Sequence, residues 1–325
     1  MNDNNKILKK NILISTFLIL AAFLPGCSSQ ETTFSSSGEI WGIYQLDLNN
    51  DDIQLVYGGE GEIIGLSLDP SGNNLVFSQN IGQGDNQFSE IYSYSLPEQK
   101  VQQLTNNDHW DVYPVWSPDG KEIAFLSWRD ESLDIYTMDN NGSNQELLYD
   151  SGFHDADIDW VGDQIVFTQQ SHIWKMKSDG SQAEQITISP RAGEWGQANL
   201  PFGDYDPRLS PDGNKILFSR MIGDQSVHGN YDIFIVDLDG SNLINLTNSG
   251  YSQGLSSWSH DGSEILYILA ASGDIGLYDL YTMNSDGTEA VLRNPSFVPD
   301  DFLIHWARYS ADPMKFYLVG EWWIE

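Results

Sequence analysis

The stretch Trp116-Ser117-Pro118-Asp119-Gly120-Lys121-Glu122-Ile123-Ala124-Phe125 decides the fold. A turn separates two apolar runs. Proline presets φ, aspartate bonds its own backbone and glycine tolerates positive φ, so the stretch reads as a β-hairpin. It recurs as Leu209-Ser210-Pro211-Asp212-Gly213-Asn214-Lys215-Ile216-Leu217-Phe218 and as Trp258-Ser259-His260-Asp261-Gly262-Ser263-Glu264-Ile265-Leu266-Tyr267. Weaker copies start at Leu68, at Trp160 and, with an insertion, at Trp306. The anchors 68, 116, 160, 209, 258 and 306 lie 44 to 49 residues apart.

A second unit alternates with the first: Glu39-Ile40-Trp41, Glu90-Ile91-Tyr92, Asp134-Ile135-Tyr136, His172-Ile173-Trp174, Asp232-Ile233-Phe234 and Asp279-Leu280-Tyr281. Each repeat therefore holds two hairpins. Six four-stranded units at this period predict an all-β, six-bladed β-propeller. The chain opens on a second-type hairpin and closes on a first-type one. An open ring leaves unpaired strand edges. The N-terminal hairpin is thus expected to form the outer half of a blade whose inner half is the C-terminal hairpin. The anchor tryptophans are expected to pack between blades.

The 325 residues carry 15 Lys plus Arg against 47 Asp plus Glu, a formal net charge of -32, which excludes nucleic acid as a partner. With 40% hydrophobic and 12% aromatic residues the chain can build a sizeable core. One cysteine permits no intramolecular disulfide. Lys6, Lys9 and Lys10 precede an apolar run from Ile12 to Leu24, the pattern of an export signal. Leu24-Pro25-Gly26-Cys27 resembles the lipobox of bacterial lipoproteins, with Pro25 unusual at its place. The expected division is a signal peptide over 1–26, a flexible tether over 27–38 starting at a lipidated Cys27, and the propeller over 39–325. Lipid on Cys27 would attach the protein to a membrane outside the cytoplasm.

The Trp-Ser-Pro-Asp-Gly hairpins resemble the repeats of the TolB-like six-bladed propellers, also called the WD40-like PD40 repeat. That resemblance covers residues 39–325. It implies an extracytoplasmic propeller used for binding or scaffolding.

No G-x-S-x-G, H-E-x-x-H or phosphate-loop motif is present, so no catalytic residue is assigned. The tight turns fall at one end of the blades. Long segments such as 80–88, 188–203, 222–230 and 271–276 fall at the other, where binding is commonly placed. The 188–203 segment offers Arg191, Trp195 and Phe202. Five residues before the anchors stand Ile63, Asp111, Asp155, Asp204, Gln253 and Asp301, with His109, His154, Asp157 and Asp206 beside them. In a ring these converge on the channel mouth. Asp111, Asp155, Asp204 and Asp301 then form a candidate site for Ca²⁺ or another divalent cation. Alternatively, each aspartate only caps its local turn. The functional expectation is a monomeric, lipid-anchored propeller that binds an envelope protein, peptide or glycan on its long-loop face. The alternative is a metal-assisted polysaccharide lyase or glycan hydrolase with Asp155/Asp157 or Asp204/Asp206 as acid and base.

Overall fold

A computed structural model describes residues 39–59, 61–82, 87–195, 201–224, 229–270, 278–294 and 302–323. The expected signal and tether, with Cys27, and Asp301 lie outside these. The described residues form six four-stranded antiparallel sheets. The first blade holds β3 (Ile63–Leu68), β4 (Asn74–Ile81), β5 (Phe88–Ser95) and β6 (Lys100–Gln103). The second holds β7 (Asp111–Trp116), β8 (Glu122–Ser127), β9 (Asp134–Asp139) and β10 (Glu146–Tyr149). The third holds β11 (Asp155–Val161), β12 (Gln164–Gln169), β13 (His172–Lys177) and β14 (Glu184–Gln185). The fourth holds β15 (Asp204–Leu209), β16 (Lys215–Gly223), β17 (Asn230–Asp237) and β18 (Ile244–Asn245). The fifth holds β19 (Ser252–Trp258), β20 (Glu264–Ala270), β21 (Tyr278–Asn284) and β22 (Val291–Leu292).

The sixth blade joins the two ends of the domain in the order β2-β1-β24-β23, with β1 (Glu39–Asp47), β2 (Asp52–Gly59), β23 (Phe302–Tyr309) and β24 (Lys315–Trp323). β1 and β24 pair without interruption from Glu39↔Trp323 to Asp47↔Lys315. The expected closure is what the chain adopts, with the N-terminal hairpin outside and the C-terminal hairpin inside.

The Pro-Asp-Gly turns repeat one bonding scheme. Ser117 Oγ bonds Asp119 at 2.9 Å and accepts the Glu122 amide at 2.9 Å. Ser210 with Asp212 and Lys215, and Ser259 with Asp261 and Glu264, do the same at 2.6–2.9 Å. Gly120, at φ 69°, makes the turn that a Cβ would strain.

Trp116 and Trp258 pack between blades as expected: Trp116 against Val76 and Ile91 of the preceding blade, Trp258 against Leu217 and Ile233. Full burial of such a ring contributes on the order of 2–3 kcal/mol. Trp306 departs from the expectation. In four of the other blades the anchor is the last inner-strand residue paired before the turn, as in Trp116↔Ile123 and Leu209↔Ile216, and in the third, with its shorter turn, Trp160 is the last but one. In the sixth blade that pair is Tyr309↔Phe316. The true anchor is Tyr309, and Trp306 sits three residues earlier. The insertion assigned to the turn was a displaced alignment. By the same register Ile304, not Asp301, is the residue five before the anchor.

Candidate functional site at the propeller axis

The inner strands carry a bulge that periodicity did not reveal. Pairing registers shift between Ile64 and Ser67, Val112 and Val115, Ala156 and Asp159, Tyr205 and Arg208, and Gly254 and Ser257. In each shift the residue three before the anchor has positive φ: Gly65 68°, Tyr113 54°, Asp157 52°, Asp206 55° and Leu255 52°. A β-bulge re-aims side chains, and left-handed backbone at non-glycine residues is sparsely populated. A bulge repeated in five blades therefore marks a shared constraint. Neighbouring bulges touch: a Cβ on Gly65 would lie 3.2 Å from Tyr113 Cα, and the Asp206 amide donates to Asp157 Oδ2 at 3.2 Å. Trp306 occupies the corresponding place in the sixth blade, its ring 5.8 Å from that of Tyr113.

The residues one before each anchor, Ser67, Val115, Asp159, Arg208, Ser257 and Arg308, ring a funnel of about 290 Å³ that opens on the tight-turn face. Blade hands to blade here: Ser67 Oγ accepts the Trp116 amide at 3.4 Å and Asp159 Oδ2 accepts the Leu209 amide at 2.8 Å. Buried Arg208 pairs with buried Asp206 at 2.5 Å. The Arg308 guanidinium carbon stands 5.0 Å and that of Arg208 5.9 Å from the Trp306 ring centre. Burial, and next the charge of Asp206, push the Asp157 carboxyl up. Burial, and next the charge of Arg208, pull the Arg308 guanidinium down to about 9.

The expected carboxylate ring is not a lined mouth. Asp111, Asp155 and Asp204 are each wholly buried, and Gln253 and Ile63 nearly so. They seal the seams between blades. Asp111 accepts from Ser127 Oγ, from Asn107 Nδ2 at 2.7 Å and from Arg129 at 3.1 Å. Arg220 clasps Asp204 in a fork of 2.6 and 2.7 Å. Asp155 accepts from Ser151 Oγ at 2.9 Å, while its Oδ2 has no hydrogen-bond partner among the described residues. Burial, and then the charges of Asp134 and Asp150, push Asp155 up to about 8. Burial first, with Asp150 and Asp130 adding, pushes Asp134 up to about 6.

Glu90, Asp134 and His172, each the first residue of a second-type unit, act on the aspartate of the next blade. Glu90, against Asp111, bonds Thr105 Oγ1 and the Asn107 amide. His172 Nδ1, against Asp204, accepts the Ser189 amide at 3.3 Å. Among the described residues no group of three His, Cys, Asp or Glu could hold a metal ion. His109 lies beside Asp108 at 3.4 Å, and half-buried His154 takes the Leu133 amide on Nδ1 at 3.0 Å and packs on Trp128.

Of the sequence-derived candidates, Asp157 and Asp206 come together at the axis. Arg191 and buried Phe202 also meet, with the guanidinium carbon 3.4 Å from the ring centre and an ion pair from Arg191 to Glu194. Trp195 stays 59% exposed. Sequence reasoning missed Asp159, Arg208, Arg308 and Trp306. Their signal was the alternation back from the anchor, readable for the last two only once Tyr309 replaces Trp306 as the anchor.

A six-bladed propeller closed by its own ends, with a charged and aromatic axis, defines the class. Residues 32–194 match PD40, the TolB beta propeller domain, and the chain belongs to that family. An uncharacterized protein of Agrobacterium fabrum is 32% identical over 165 residues, covering 47% of this chain and 53% of the relative. The TolB homolog of Chlorobium luteolum is 27% identical over 172 residues, covering 51% and 35%. The chain thus spans about half or less of the length of these curated relatives. Among solved structures, a putative TolB from Agrobacterium tumefaciens superposes with a TM-score of 0.64 at 17% identity, over 89% of this chain and 100% of that one. TolB from Acinetobacter baumannii gives 0.56 at 17%, over 79% and 65%. At such identities these structures carry the fold.

Proposed function

We propose that this propeller is an extracytoplasmic binding module that docks an envelope protein on its long-loop face, held at the membrane by lipid on Cys27. The observation that carries the reading is the chemistry of that face. Phe153, Ile188, Trp195 and Tyr251 all belong to links between blades, and they are 51%, 79%, 59% and 48% exposed. Large apolar side chains exposed on successive links of one face suit a protein interface. Two relatives support the direction: one is named a TolB homolog, and another, from Helicobacter hepaticus, a Tol-Pal system protein TolB. The lipobox-like Leu24-Pro25-Gly26-Cys27 supports the anchor.

Capture from detergent-solubilised envelopes tests the docking. The wild-type chain retains a discrete protein, and Trp195→Ala/Tyr251→Ala loses it at unchanged melting temperature. Equal retention by the double variant counts against this face. Labelling with an alkyne fatty acid tests the anchor: the label is present on the wild type and lost in Cys27→Ser.

A further inference from the structure

We propose that the axial funnel on the tight-turn face is a second binding site, which takes a carboxylate of an extended peptide on the Arg308 guanidinium. The funnel lies at the end of the propeller opposite the long-loop face, so this site does not depend on the docking proposed above.

The throat is not uniformly acidic. Arg208 is matched by Asp206 at 2.5 Å, and Asp159 takes the Leu209 amide. Arg308 differs. Among the described residues its recorded hydrogen bond runs from Nη1 to the carbonyl of Ala307 at 2.9 Å, and it forms no ion pair. A guanidinium offers five donors in a fixed fork that fits a carboxylate with two parallel bonds. The charges of Asp206 and Asp159 act on Arg308 from nearby without closing an ion pair with it, so part of its fork still faces the partly enclosed cavity. The Arg308 guanidinium carbon lies 5.0 Å over the Trp306 ring, a cation–π contact. Arg208 lies over the same indole, so two cations share one ring. An incoming anion offsets that repulsion and compensates the desolvation that pulls Arg308 down. A half-buried cation without a full ion-pair partner, facing a cavity, is a candidate binding group.

The walls select the class of carrier. At about 290 Å³ the funnel lies at the small end of ligand pockets, which run from roughly 300 to 1,000 Å³. It admits a single chain end or one acidic side chain rather than a folded surface. Trp116, Trp160 and Trp258 line it but are only 8–9% exposed, with their rings committed to the blade seams. Among the described residues of the funnel no broad aromatic face is left on which a sugar ring could stack. Ser67 and Ser257 add hydroxyls to the ring, as a peptide end needs. Repulsion from the acidic surface is screened beyond about 8 Å at physiological salt, which leaves the local fork to decide.

The test uses a peptide array in which each sequence is presented with a free C-terminal carboxylate and as its amide, and with Glu or Gln at its internal positions. Wild-type protein should retain free-acid or Glu-bearing members. Their amide or Gln counterparts should bind at least about tenfold more weakly, the loss of one charged hydrogen-bonded pair. Arg308→Gln should show the same tenfold loss with its melting temperature held, and Arg308→Lys a partial recovery. Arg293→Gln, on the propeller rim, and Trp195→Ala/Tyr251→Ala should bind as wild type does. The two arms separate a terminal from a side-chain carboxylate. The proposal is overturned if no member is retained, if acid and neutral members bind equally, or if Arg308→Gln binds as wild type does. Arg308-dependent retention of an acidic oligosaccharide in place of every peptide overturns the choice of carrier.

Discussion

Asp155 and Asp204 occupy one place in successive blades and meet different company. Asp204 is clasped by Arg220, whereas Asp155 faces Asp134, with no cation beside it among the described residues. Removing one partner of a buried pair strands the other charge. Arg220→Met should therefore lower stability by about 3–5 kcal/mol, read as an earlier denaturant midpoint. Asp155→Asn should do the reverse. Its carboxyl is raised to about 8 in the folded chain, so the folded state holds the proton more tightly than the unfolded one. Stability from this group is full below about pH 4, the unfolded value, and falls as pH rises toward 8. The Asn variant should match the wild type near pH 4 and exceed it by about 1–3 kcal/mol at pH 8. Thermal melts across that range check it, and parallel curves for the two proteins contradict it. The repeating aspartates were legible by counting back from the anchor. Their partners were not, because Arg220 and Ser127 reach them only through the register across the blade.

At the scale of the hairpin and the strand, turn chemistry reported the architecture well. Pro-Asp-Gly and Asp-Gly turns fixed where strands reverse, and the alternation of two hairpin types fixed which ends meet. The bulges were hidden, because a bulge adds a residue without changing the apolar pattern around it. The misplaced sixth anchor has the same origin: Trp306 carries the expected residue type, but Tyr309 carries the expected pairing. Closure rests on the run of backbone bonds between β1 and β24. Deleting residues 39–57 leaves the β24 edge open, and the shortened chain should show no cooperative melt by circular dichroism. A soluble deletion product with the wild-type transition contradicts the closure.

Over the whole molecule, charge and shape pull in different directions. A chain with a formal net charge of -32 over its 325 residues repels itself. Stability should rise as salt increases from about 0.01 M to about 0.15 M, where the screening length falls from roughly 30 to 8 Å. A melting temperature that falls over that interval contradicts a self-repelling surface. The two ends of the ring differ as well. The long-loop end carries exposed Phe153, Ile188, Trp195 and Tyr251, and the turn end carries the funnel with Arg308. The sequence pointed to long-loop binding through loop length alone; exposure and the seam role of the aspartates became visible only in the folded ring. Docking of an envelope protein on the long-loop end is the central claim. Photo-crosslinking residues placed at Trp195, Tyr251 and, on the outer strand β10, Leu147 test it in intact cell envelopes. Positions 195 and 251 should form an adduct with the same protein, and position 147 should not. No protein adduct from 195 and 251, or an equal yield from 147, contradicts it.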